Sequence, residues 1–123
     1  MAARNELLRY LIDQLSPLGD VRGRALFGGY GVYLDGLIIG IIAFDAFYLK
    51  VDEENRPDFE AAGAEPFSYE ARGRRTIMAY CECPADVLEE SERLRHWTLK
   101  ALAASRRAKP ATGRARRRRR SEE

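Results

Sequence analysis

The chain has 123 residues, 46% of them hydrophobic, 10% aromatic and 33% charged, a composition that fits one globular domain rather than a disordered or fibrous chain. Its longest apolar stretch, Leu37 to Phe44, falls far short of the ~20 residues of a membrane-spanning helix. No apolar h-region marks a secretory signal at the N-terminus, and two cysteines cannot make a disulfide scaffold. The formal charge of +2 divides unevenly: residues 105–123 hold nine basic and two acidic side chains (+7), whereas residues 1–104 hold the other twelve basic and seventeen acidic ones (−5).

Leu7, Leu8, Leu11, Ile12 and Leu15 recur at helical spacing and predict a first helix, which Ser16-Pro17-Leu18-Gly19-Asp20 stops. Arg24 to Asp35 reads as one strand bent at Gly28-Gly29, with Val32 and Leu34 on one face. Asp35-Gly36 is a two-residue hairpin signal, because both turn positions take positive φ. Leu37 to Phe44 is apolar on both faces, which places it centrally in the sheet. A turn at Asp45-Ala46 leads to Phe47–Val51, where Phe47, Leu49 and Val51 alternate with Tyr48 and Lys50. Asn55-Arg56-Pro57 predicts a capped short helix that leaves through Gly63. Two strands follow, Phe67–Glu70 and Thr76–Cys83, joined around Arg72-Gly73-Arg74. Pro84 ends the sheet, and a helical region from Asp86 to about Ala104, re-capped by Ser91, completes the fold. This order, α-βββ-α-ββ-α, argues for an α+β two-layer sandwich with an antiparallel sheet. Residues 1–104 are then the domain. Residues 105–123, with almost nothing apolar to bury, are expected as a disordered basic tail.

Candidate chemistry is sparse. Cys81-Glu82-Cys83 offers two thiolates, but a closed zinc site needs two further ligands, and His96 is the one histidine of the chain. The pair reads as two buried cytosolic thiols. Gly28-Gly29-Tyr30-Gly31 leads into a strand, so no helix N-terminus follows to receive a phosphate. The acidic groups Asp52-Glu53-Glu54 and Glu89-Glu90 with Glu92 sit beside helix starts, where the dipole favours negative charge. An alternative reading is a small enzyme or metal-binding protein whose site assembles in space around Tyr80, Cys81 and His96. Two surfaces suit binding. Tyr48, Lys50, Tyr69, Arg72, Arg74 and Arg75 form a basic-aromatic group on strands and a hairpin tip. Arg106, Arg107, Lys109, Arg114, Arg116, Arg117, Arg118, Arg119 and Arg120 can neutralise DNA or RNA phosphates without reading base sequence.

Several runs carry a family resemblance: Leu26-Phe27-Gly28-Gly29-Tyr30-Gly31-Val32-Tyr33-Leu34-Asp35-Gly36, Leu49-Lys50-Val51-Asp52, Phe59-Glu60-Ala61-Ala62-Gly63, Pro66-Phe67-Ser68-Tyr69-Glu70, and Tyr80 with Pro84. From about Leu7 to Ala104 the chain resembles the N-terminal domain of the TfoX/Sxy family, regulators of bacterial natural competence. The resemblance implies a secretion-chaperone-like α-β3-α-β2-α fold, no catalytic residues and no cofactor. Full-length relatives act as transcriptional coactivators with the cyclic-AMP receptor protein and carry a second, helical C-terminal domain. The chain is accordingly expected to be a cytoplasmic, single-domain member without that second domain. It would be a non-enzymatic module that docks a protein of the transcription machinery, with a tail that adds nonspecific nucleic-acid affinity. A dimer formed through an exposed sheet face is a further reading.

Overall fold

Leucine spacing gives the first helix its buried side. In α1 (Ala2–Leu15), Leu11 and Leu15 have no exposed surface and pack into the core, and a 3₁₀ turn at Ser16–Leu18 ends the helix at Pro17. The computed structural model describes the backbone of residues 2–26 and 28–122, and the side chains of residues 6–26, 28–68, 72–74 and 77–108.

Six strands form one antiparallel sheet in the order β1-β2-β3-β4-β6-β5. They are β1 (Val21–Leu26), β2 (Gly29–Leu34), β3 (Leu37–Ala43), β4 (Ala46–Lys50), β5 (Pro66–Ala71) and β6 (Arg74–Glu82). The α+β class follows from the sequence, but the strand count does not. The region expected as one bent strand is a hairpin, with Leu26 opposite Gly29 and Gly28 in the turn at φ +79°. Two adjacent glycines suit a bend and a reversal equally, and here Gly28 supplies the left-handed residue that the reversal requires. Asp35-Gly36 turns as expected, at φ 51° and 85°. The next turn falls one residue earlier than expected, on Phe44-Asp45 at φ 53° and 61°, with Ala43 opposite Ala46.

The central position of β3, between β2 and β4, agrees with its apolar sequence. A register shift leaves Ile39 as the additional residue between the Tyr33–Ile38 and Val32–Gly40 pairs. Ile39 is fully buried in the core, together with Val32, Leu34, Ile42, Phe47, Leu49, Cys81 and Cys83. At about 1.5–3 kcal/mol for each large apolar side chain removed from water, this face supplies most of the driving force.

Helices cover that face. α2 (Arg56–Ala61) buries Phe59, whose ring meets Trp97 edge-on at 4.9 Å. Asn55 does not cap α2 as expected. It is 3% exposed and staples the preceding loop instead, its Oδ1 accepting from the Asp52 N–H (2.7 Å) and its Nδ2 donating to the Lys50 carbonyl (3.0 Å). α3 (Ala85–Leu88) buries Val87, and α4 (Ser91–Glu122) lies against β3 and β4. The cap of α4 comes from Glu90, whose carboxylate accepts the Arg93 N–H at 2.9 Å, while the Ser91 hydroxyl bonds Gln14. Two further bonds tie the C-terminal half of α1 to this layer: the Tyr10 hydroxyl donates to the Leu88 carbonyl (2.6 Å), and Arg95 Nε donates to the Gln14 carbonyl (2.9 Å).

The sequence places the end of the last helix near Ala104, yet α4 continues to Glu122. Ala104 and Ser105 are 1% and 4% exposed, so the body passes the expected boundary. Arg107 closes this junction, donating to Asp52 from Nε (2.6 Å) and Nη2 (2.9 Å), with Nη1 3.5 Å from Glu54. The side chains of residues 109–123 lie outside those described.

Candidate functional site

Successive strand residues point to opposite faces, so one set enters the core and the alternate set faces away from the helices. The second set contains Tyr33, Ile38, Ile41, Tyr48, Lys50 and Tyr80. Two of its aromatic rings carry a cation: the Arg24 guanidinium is 5.8 Å from the centre of Tyr33, and the Lys50 ammonium 5.2 Å from the centre of Tyr80. Tyr48 lies edge-on to Phe67 at 4.9 Å.

This face is hollowed into a groove of about 710 Å³. Ile38, Ile41 and Ala43 of β3 line it, with Leu26, Gly28 and Gly29 at one end and Met78 and Tyr80 of β6 across from them. Phe44 and Asp45 of the β3–β4 turn reach it together with Phe67. Gly29 is the place of closest approach: a β-carbon built there would stand 1.9 Å from the Ile42 carbonyl oxygen. The two glycines of Gly28-Gly29 thus have different tasks, one turning the chain and the other letting β2 lie against β3.

Electrostatics here keep groups neutral rather than reactive. Burial, then the neighbouring Tyr33, raises the Tyr80 phenol above its ordinary range, and burial followed by Glu82 does the same to Tyr48. The thiols behave likewise on the opposite face. Burial pushes Cys83 up to about 12, with Asp86 and Glu82 adding to the effect, and raises Cys81 against a partial offset from Arg56. Both thiols are free and buried, as expected, and resist forming the thiolate that nucleophilic or metal chemistry needs.

The proposed Tyr80, Cys81 and His96 constellation does not assemble. Tyr80 faces the groove, its neighbour Cys81 enters the core, and His96 is exposed on α4. No group of three or more potential metal ligands occurs among the described residues. The basic-aromatic group is divided as well. Tyr48 and Lys50 lie on the sheet face, while Arg72 and Arg74 are exposed at the β5–β6 tip. Lys50 pairs with Tyr80, six residues along β6 from Arg74, or roughly 20 Å at the rise of a strand. The side chains of Tyr69 and Arg75 lie outside those described.

Of the tail residues, Arg106 is exposed and Arg107 is engaged by Asp52 and Glu54. The side chains of Lys109, Arg114 and Arg116 to Arg120 lie outside those described. The acidic run at Asp52 is therefore a dock for Arg107 rather than only a helix-start charge, and Arg107 holds the Asp52 carboxyl below its ordinary range. Sequence reasoning missed the groove. Its one visible signal was that Leu37 to Phe44 is apolar on both faces while the helices can cover only one.

Among the described residues, no helix is long and apolar enough to cross a membrane. A comparison with curated proteins finds none that matches the chain. The TfoX N-terminal domain family matches residues 13–105, about three quarters of the chain, and is a regulatory family rather than a catalytic one. The match spans the structure from the last three residues of α1 through Ser105, including the Gly28-Gly29 hairpin and the groove-lining strands. The chain belongs to the TfoX N-terminal domain family.

Proposed function

We propose that the chain is a non-enzymatic regulator of transcription of the competence-regulator kind. Its folded body docks a protein of the transcription machinery, and its basic C-terminal segment holds the complex near nucleic acid. The observation that carries this reading is the division of labour along the chain: a body of charge −5 with its reactive groups dispersed, followed by a segment of charge +7. Opposite charges on two parts of one chain let the body keep off phosphate while the arm is drawn to it. Arg107 is the anchor of the arm in this scheme, since its guanidinium is already engaged by Asp52. Arg106, Lys109, Arg114 and Arg116 to Arg120 make the phosphate contacts.

The test is a salt titration of duplex DNA binding by the full chain and by a variant with Arg114 and Arg116 to Arg120 changed to glutamine. If six contacts are made, affinity falls by about three decades from 50 to 200 mM salt, and the variant loses roughly five from the slope of log K against log salt. Equal affinities and slopes for the two proteins would remove the tail from the mechanism.

A further inference from the structure

Phe44 stands where turn chemistry asks for asparagine or glycine. Its φ of 53° is left-handed, a conformation that Asn, Asp and Gly take readily and a bulky side chain does not, and 76% of the residue is exposed. What this position gives the ring is its place at the groove, 6.0 Å from the ring of Phe67. An exposed aromatic held in a strained turn beside a cavity is an outlier that points to a ligand.

The chemistry of that ligand follows from the remaining lining groups. Asp45, the other residue of the same turn, is the only carboxylate or cation among the described residues that line the groove; Lys50, held over the Tyr80 ring, is not one of them. A single negative charge on a body of charge −5 selects against anions and for a cation. The Phe44 and Phe67 rings beside it offer the faces that ammonium groups favour. The floor, Ile38 and Ile41 with Met78, is apolar, and the volume of about 710 Å³ lies within the range of small-molecule sites. Tyr80 adds a polar handle, for its hydroxyl hydrogen-bonds no described residue.

We propose that this groove binds a small amphiphilic amine. Its aryl or alkyl body lies on Ile38, Ile41 and Met78, and its ammonium sits between the Asp45 carboxylate and the Phe44 and Phe67 rings. The site is separate from the phosphate contacts assigned to the tail, so either can fail without the other.

The test titrates the full chain with two probes of matched shape and opposite charge, 1-naphthylmethylamine and 1-naphthylacetate, followed by amide NMR shifts and calorimetry. The amine binds roughly tenfold more tightly than the acid, the combined effect of one exposed ion pair and one cation–ring contact, and shifts the amides of β3 and of the Phe44-Asp45 turn. Asp45→Asn keeps the left-handed turn and cuts that preference to roughly threefold. Phe44→Asn raises the melting temperature, because the turn is relieved, yet weakens amine binding severalfold. A protein that binds neither probe at millimolar concentration, binds the acid as well as the amine, or keeps its preference in Asp45→Asn overturns the proposal. So does a Phe44→Asn variant with undiminished affinity for the amine.

Discussion

Replacing Gly29 by alanine puts a methyl carbon 1.9 Å from the carbonyl oxygen of Ile42, a backbone atom in the middle of the sheet. A tolerable contact needs a separation of about 3.2 Å, so β2 and β3 must part locally by more than 1 Å. The adjoining ladder pair is Tyr30 with Ile42, and Ile42 is 1% exposed, so the separation falls on hydrogen bonds that water cannot replace. With about 1–3 kcal/mol for the buried backbone bond disrupted and about 1 kcal/mol for loosened packing around Ile42, the loss comes to roughly 2–4 kcal/mol. For a folded body of this size that lowers the melting temperature by roughly 10–20 °C. Gly28→Ala is the control. A β-carbon there meets no described residue within 4 Å, so the left-handed φ of +79° is what is penalised, at roughly 1–2 kcal/mol. Urea unfolding followed by far-UV circular dichroism measures both. A Gly29→Ala variant within 1 kcal/mol of the parent, or a Gly28→Ala variant that is the worse of the two, would refute the close-approach argument.

Thr98 is fully buried on α4 and its hydroxyl has no hydrogen-bond partner among the described residues, so Thr98→Val should raise stability by about 1 kcal/mol in the same unfolding assay. Cys81 and Cys83 should resist maleimide in the native protein at neutral pH and react once urea is added, as read by mass spectrometry. Since the folded Cys83 titrates near 12 and an unfolded thiol near 9, its contribution to stability is whole below pH 9 and drains as pH rises towards 12. Asp52 behaves in the opposite sense. Its carboxyl is held low by Arg107, so its contribution is whole above the ordinary carboxylate range and is lost as pH falls below about 4. Asp52→Asn should therefore be less stable than the parent at pH 7 and show a flatter acid limb in thermal melts; an unchanged acid limb would mean that the Arg107 contact does not couple to folding.

The local rules of the chain were legible where one residue decides one feature. Asp35-Gly36 had to turn, Gly63 had to leave a helix in the left-handed region, and Phe47, Leu49 and Val51 had to share the buried face. The Gly28-Gly29 pair was ambiguous because the same dipeptide serves a bend or a reversal, and only the pairing of Leu26 with Gly29 decides between them. Both the groove and the Arg107 clasp depend on contacts remote in sequence. Phe67 and Met78 meet the β3–β4 turn only because β6 joins β4 rather than a sequence neighbour. Asp52 and Arg107 are 55 positions apart, and nothing in a run of basic residues marks which of them will find a carboxylate. Composition placed the border of the basic segment before Ser105, a residue that the structure still buries.

Transcript profiling of a bacterial host expressing the full chain, set beside the variant with Arg114 and Arg116 to Arg120 changed to glutamine, reaches the regulatory claim most directly. The account predicts that the parent chain alters a discrete set of transcripts and that the neutralised variant, folded and equally abundant, alters them much less. Transcripts indifferent to the parent chain, or changed equally by both proteins, would contradict it.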